Sequence, residues 1–214
     1  IAGMSEREWR DRQYEEVHRP FDLEHGPVLR VLLFRLSADE HILTFVLHHI
    51  VSDMWSMLIC VAEFTAFYKS EVEGTPSPLP ALQTDYADFV KWQAEQVSGK
   101  SGDRLWGYWK NELAGALPAL DLPTDRPRPP VQTYRGDLEY VTVGEKTTQA
   151  LRELSKRQRT TMFMTLMAAY HVWLYRHSRQ QDLLVGTATA GRSRREFQTL
   201  VGDFINPVVI RGDL

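Results

Sequence analysis

The sequence predicts a mixed α/β (α+β) fold in two parts, and three observations predict it. Short, dense apolar runs of strand length alternate with longer stretches of helical period. Both kinds of segment occur on either side of a proline-rich stretch, Asp121–Pro130, which has four prolines in ten residues. Such a stretch neither continues a helix nor sits in a central strand, so it marks a boundary. The expected division is residues 1–120, a linker over 121–136, and residues 137–214.

Residues 5–19 are polar and charged with a weak helical pattern. Phe21-Asp22-Leu23 and Gly26-Pro27 make a turn-rich entry to Val28–Leu36, which reads as a buried strand. Four polar residues, Ser37–Glu40, join it to a second strand, Ile42–His48, and the pair suggests a β-hairpin. If that second strand runs far enough, its alternation puts Ile42, Thr44, Val46 and His48 on one face and Leu43, Phe45, Leu47 and His49 on the other. Met54–Tyr68 is apolar almost all round, the pattern of a buried helix. Residues 73–80 hold three prolines and a glycine and read as a loop. Thr84 fits as the N-cap of a helix carrying Tyr86, Phe89, Val90 and Gln93. A further helix is expected near Asp103–Leu113.

Beyond the proline stretch, Asp137–Val143 reads as a strand and Glu145–Gln158 as an amphipathic helix. Thr161–His177 reads as a more buried helix, and Leu183–Thr187 and Val208–Arg211 as strands. Ile1 is not an initiator methionine, and Pro207–Leu214 reads as a strand with nothing after it to pair with. A fragment of a longer chain is the expectation.

Composition narrows the function classes. The 214 residues are 43% hydrophobic and 25% charged, with a net charge of -3. That charge gives no electrostatic case for nucleic acid or an anionic membrane surface. No apolar run approaches the ~20 residues that span a bilayer, and the charged stretch from Ser5 to Arg19 is unlike a signal peptide. The expected location is cytoplasmic. The single cysteine, Cys60, rules out an internal disulfide and, in an apolar helical stretch, is expected to be an inert buried thiol.

Chemistry concentrates in His48-His49-Ile50-Val51-Ser52-Asp53-Met54-Trp55-Ser56. A histidine pair closes a strand, and a carboxylate follows four residues after the second histidine, just before a helix. An imidazole accepts, donates or shares a proton near neutral pH. A zinc site is not expected, since adjacent strand histidines diverge and no third His or Cys lies nearby in sequence.

This run resembles the HHxxxDG motif of the condensation domains of nonribosomal peptide synthetases, members of the chloramphenicol-acetyltransferase-like superfamily. Four further segments are similar to that family's, in the right order: Tyr86–Gln93, the Leu122–Pro129 crossing, Ala190-Gly191-Arg192-Ser193, and Val201–Pro207. The resemblance implies a chloramphenicol-acetyltransferase-like two-lobe fold, here partial: the end of the first lobe and the start of the second.

It also implies a function: amide-bond formation between a carrier-tethered acyl or peptidyl thioester donor and an aminoacyl thioester acceptor. Phosphopantetheine arms of donor and acceptor carrier domains bring the substrates, with an adenylation domain as neighbour. No cofactor, metal, nucleic acid or membrane is called for. His49 is then the catalytic histidine and His48 its support. Asp53 and Arg192 form a structural ion pair, and Met54, Trp55, Ser56 and Asn206 are expected along the substrate tunnel. Core packing is the expected role of Tyr86, Trp92 and Phe204. The chain departs from the motif at Met54, where the family has glycine; a methionine side chain there would narrow the tunnel.

Trp55 before Ser56 favours condensation over epimerisation, and His48 argues against heterocyclisation. An ester-forming or free-standing acyltransferase is the enzymatic alternative. A non-catalytic platform that recruits carriers or enzymes is the alternative of a different class, and Met54 is the feature that keeps it open.

Overall fold

The computed structural model describes residues 5–127, 129–133 and 136–214. Ile1 and three residues within the 121–136 stretch (Arg128, Tyr134 and Arg135) lie outside them. The described helices are α1 (Glu6–His18), α2 (Met54–Glu73), α3 (Tyr86–Gln96), α4 (Gly99–Glu112), α5 (Glu145–Arg157) and α6 (Met162–Ser178). The strands are β1 (Leu29–Arg35), β2 (His41–Leu47), β3 (Asp182–Thr189) and β4 (Asn206–Asp213), in two two-stranded sheets, β1-β2 and β3-β4. Contacts divide the chain into two compact units, one of Ile1–Asp103 with Ala188–Asn206, the other of Arg104–Thr187 with Pro207–Leu214. The proline-rich stretch falls inside the second unit.

In the first unit, α1 is a polar helix opened by a capping box. The Ser5 side chain accepts from the Glu8 backbone, and the Glu8 side chain accepts from the Ser5 backbone. Its end is tied to the hairpin by Arg30, which donates to the carbonyls of Glu16, Arg19 and Pro20 and lies over the Phe21 ring. Strands β1 and β2 form the expected hairpin, with Leu29 opposite Leu47 and Arg35 opposite His41. The register puts Leu32 and Phe34 on the face where Thr44 accepts a hydrogen bond from Gln13 of α1. On the other face Phe64 of α2 meets Phe45 edge-on.

Two burial expectations fail here. The β1 run is apolar on both faces, yet Val31 and Leu33 are exposed. Helix α2, expected to be buried, exposes Leu58, Val61, Phe67 and Tyr68. An apolar pattern tells which residues favour a nonpolar neighbour, but burial needs that neighbour, and the described residues cover these side chains only in part. Helix α2 ends where Gly74 takes a left-handed conformation. The core of this unit is aromatic: Phe89 of α3 with Phe197, Leu200 and Phe204, and Trp92 packed against them. Helix α3 starts one residue later than expected. Asp85 is its N-cap and shares a capping box with Asp88, while the Thr84 hydroxyl donates to the Glu196 carbonyl.

In the second unit, α5 and α6 pack together, joined by Ser155 and Thr165 hydroxyls 2.7 Å apart. Leu174 and Leu183 are its most buried apolar side chains. Arg211 of β4 forms a two-point ion pair with Asp182 of β3 at 2.8 and 2.7 Å and donates to the Glu112 carbonyl. Pro207–Leu214 therefore has a partner strand, β3, which the sequence pattern did not assign to it. Phe163, Met164 and Trp173 of α6 are exposed, so this helix too is barer than its sequence suggests. The strand expected over Asp137–Val143 is absent. Leu138, Tyr140 and Val141 are exposed and no described strand pairs with them, and extended backbone without a ladder is not a strand. Among the described residues no helix is long and apolar enough to cross a membrane.

Replacement of Phe89 by alanine removes the centre of the aromatic core and is expected to cost about 3–5 kcal/mol. Leu33→Ala, at an exposed position of the hairpin, is expected to stay within about 0.5 kcal/mol. Denaturant unfolding of the two variants in the intact parent protein measures the contrast.

Candidate active site

The histidine motif folds as a tight turn between β2 and α2, all within the first unit. Strand β2 stops at Leu47, and the His48 N–H makes the last strand-like bond, to the Val28 carbonyl. A single 3₁₀ turn follows, His49–Val51, closed by hydrogen bonds from the Val51 N–H to the His48 carbonyl and from the Ser52 N–H to the His49 carbonyl. The strand therefore ends before the histidine pair, and simple alternation does not decide where the two rings point.

The turn does. His48 caps it: Nδ1 accepts from the Ile50 N–H at 3.1 Å, which requires the Nε2–H tautomer, and the ring stands edge-on against Phe21. His49 is left facing outward, its side chain 70% exposed. Its Nδ1 lies 3.7 Å from Oδ2 of Asp203.

Asp53 turns the other way. Its Oδ1 accepts from the Ser56 N–H at 2.7 Å and so N-caps α2. Nη2 of Arg192 sits 3.2 and 3.3 Å from the two carboxylate oxygens, and the Phe204 N–H donates to Oδ2. The ion pair that the resemblance implied between Asp53 and Arg192 is thus present, and both residues are buried. Burial alone would raise the Asp53 carboxyl. The backbone and side chain of Ser56, the Phe204 N–H and the Arg192 charge outweigh it and hold the group below the ordinary carboxylate range.

Arg192 is held through both terminal nitrogens, while its buried Nε has no hydrogen-bond partner among the described residues. Nη1 donates to the carbonyls of Phe197 and Leu200, both at 2.7 Å, Nη2 also donates to the Ser56 hydroxyl, and the guanidinium lies 3.8 Å over the Phe204 ring. Gly191 just before it has φ +66°, and a Cβ there would fall 1.8 Å from the Phe204 carbonyl oxygen. Only glycine lets the chain pass this close.

The remaining residues named from the sequence separate. Ser56 is fully buried; its hydroxyl donates to the Gly202 carbonyl and accepts from the Gly202 N–H, so it belongs to the packed anchor and not to an open passage. Trp55 donates from its indole nitrogen to the Gln198 carbonyl and lines a hollow of about 290 Å³ beside Met54, Leu58 and Ile205. Met54 is 73% exposed there. Asn206 lines a different hollow, of about 490 Å³, together with Arg192, Thr189 and Gln93. His49 is among the lining residues of neither. Cys60 is half-buried, and its thiol is pushed up by burial and by the Glu63 charge, which disfavours the reactive thiolate.

Two elements of the site carry no signal in the sequence. Asp203 lies in the Val201–Pro207 segment already singled out, but only the fold brings it to His49. The carbonyls of Phe197 and Leu200 that seat Arg192 have no side-chain code at all.

The family model described as condensation domain matches residues 3–214. One of the proteins that make up the linear gramicidin synthase of Brevibacillus parabrevis is 46% identical over 200 residues, covering 94% of this chain and 4% of that protein. The X-domain from teicoplanin biosynthesis superposes over the whole chain with a TM-score of 0.86 at 25% identity, and its complex with OxyB with 0.84 at 26%. The chain covers 48% of the X-domain chain. A four-domain nonribosomal peptide synthetase, AB3403, gives 0.80 at 25% identity, with 16% of that chain covered. The chain thus spans a small part of the synthetase it matches and about half of the similar X-domain.

Asp53→Asn keeps the helix cap but leaves Arg192 buried without a counter-charge, and the expected loss of stability is about 3–5 kcal/mol. The folded carboxyl is depressed, so its contribution is full above the unfolded value of about 3.9 and is lost as pH falls through the lower folded value. Unfolding free energies of the parent and the variant, followed from pH 7 downward, should converge on acidification. A variant of unchanged stability that loses activity would instead assign Asp53 a direct chemical part.

Proposed function

Because the chain belongs to the condensation-domain family, we propose that its parent protein forms an amide bond between two carrier-bound thioester substrates. The observation that supports this best is the placement of the histidine pair. His48 is used up in closing the turn, and His49 is turned outward on a base fixed by the buried Asp53–Arg192 pair. Phosphopantetheine arms of a donor and an acceptor carrier domain would deliver the reactants, in a synthetase that also holds an adenylation domain.

In the reaction, the acceptor amine attacks the donor thioester carbonyl. A C–N bond forms, the tetrahedral centre collapses, and the C–S bond breaks. One amine proton leaves with the sulfur as thiol. An α-amino group has a pKa of roughly 7.7–8.0, so part of it is already neutral near pH 7. The thioester is an activated acyl group, and no bound cofactor is required at this step. His49 holds the amine in line, takes its proton after attack and returns it to the leaving sulfur. Orientation alone supplies up to about 7–11 kcal/mol in well-aligned systems, and the proton transfer adds roughly 10²–10⁴-fold.

One observation favours a second reading. Met54 stands where the motif has glycine and is largely exposed beside the Trp55 hollow. The X-domain, similar over the full chain, has been seen in complex with OxyB. A platform that binds a protein partner without turnover fits both facts. The 46% identity to a gramicidin synthase protein favours catalysis.

His49→Ala in the intact parent is expected to lower formation of the carrier-bound dipeptide at least about 100-fold, read by mass spectrometry of the loaded carriers. Normal turnover by that variant would refute the assignment. Carrier binding without any dipeptide from the unmodified parent would establish the platform reading, and Met54→Gly is then the variant expected to restore turnover.

A further inference from the structure

The motif carboxylate does not touch the histidine it accompanies in sequence. Asp53 spends both oxygens on Arg192, Ser56 and Phe204. A different carboxylate stands beside His49: Oδ2 of Asp203, 3.7 Å from Nδ1.

Asp203 is held in place from three directions. Its backbone carbonyl accepts from the Tyr86 hydroxyl at 2.6 Å. Its Oδ1 accepts from the Ile205 N–H at 3.3 Å, which fixes the carboxylate on its own loop. Its neighbours are tied into the buried anchor, Gly202 to the Ser56 hydroxyl and Phe204 to Asp53. Gly202 is needed for this, since a Cβ there would lie 2.3 Å from the Tyr86 ring, which would have to withdraw. The His49 backbone is fixed as firmly by its 3₁₀ turn. What remains free is rotation of an exposed imidazole, and the carboxylate lies on its Nδ1 side.

We infer that Asp203 is a positioning residue that orients the His49 ring with Nδ1 protonated toward the carboxylate and Nε2 left open to the reacting groups. A carboxylate beside one ring nitrogen selects the tautomer that donates to it and leaves the other nitrogen as the proton acceptor. At 3.7 Å the ring nitrogen and the carboxylate oxygen are close but not yet hydrogen-bonded. A small turn of the ring or carboxylate closes that gap. The arrangement differs from an ordinary surface pair in that one partner is anchored to the same buried network that positions the other. The effect on rate rests on the role proposed for His49; the tautomer does not.

The test uses the intact parent protein labelled with ¹⁵N-histidine, with the His49 signals assigned by their absence in His49→Ala. Asp203→Asn keeps the acceptor for Ile205 and removes the charge, and Asp203→Ala removes both. In each, the His49 ¹⁵N shifts should move away from the Nδ1–H pattern of the unmodified protein. The kcat for dipeptide formation should fall about tenfold while KM for the acceptor carrier changes less than about twofold. Identical His49 shifts in the unmodified protein and in either folded variant overturn the inference, whatever the turnover. Changed shifts in a protein whose His49→Ala variant still turns over normally leave the positioning intact and remove the proposed function instead.

Discussion

The buried pair between Asp53 and Arg192 is the interaction on which the rest of the site depends. Each partner does more than neutralise the other. Asp53 starts α2, and Arg192 gathers two loop carbonyls and the Ser56 hydroxyl. A charge pair removed from water is not by itself a strong source of stability, because desolvation offsets most of the attraction. What it does supply is definition. A guanidinium with several directed donors and a carboxylate with several directed acceptors are satisfied together in few arrangements. Here those donors and acceptors bind the histidine turn, the start of α2 and the loop from Gly191 to Phe204 into one piece.

That piece separates the two histidines by geometry and not by chemical identity. Both are imidazoles in adjacent positions. The 3₁₀ turn takes the lone pair of one and turns the other outward. The consequence is an economy of motion: the outward ring has a fixed base and only its two side-chain torsions left to turn. Positioning is worth most where a reacting group has few directions to wander in, and a charged neighbour on one side of the ring acts on that remaining freedom.

The sequence made local features legible and left the non-local ones hidden. The β1-β2 hairpin was readable because four polar residues join two apolar runs, and the helices from α2 to α6 because their period is local. Within the site, the spacing from His49 to Asp53 was readable for the same reason. The tie from Asp53 to Arg192 came from resemblance and not from pattern, since nothing in either segment points to the other. Ser56 shows the limit: a small hydroxyl beside a motif reads as accessible, and only its contacts with Gly202 and Arg192 reveal it as packed. The carbonyls of Phe197 and Leu200 lie beyond any side-chain code.

The misjudged burial has a common cause. Leu33, Leu58, Val61, Phe163 and Tyr140 are apolar residues in segments whose pattern says "cover this face", and the pattern was read as though the cover were present. A hydrophobic period records a demand for a neighbour; it does not supply one. The expected strand over 137–143 failed in the same way, because a strand is a relation between two segments and its second member was assumed. By contrast Phe89, Phe197 and Phe204 bury one another, since they come from α3 and from the same loop that carries Arg192 and Asp203. That core and the Asp53–Arg192 pair hold the base of the histidine turn. For that reason its geometry supports an argument about chemistry, while the bare helix and strand faces support none.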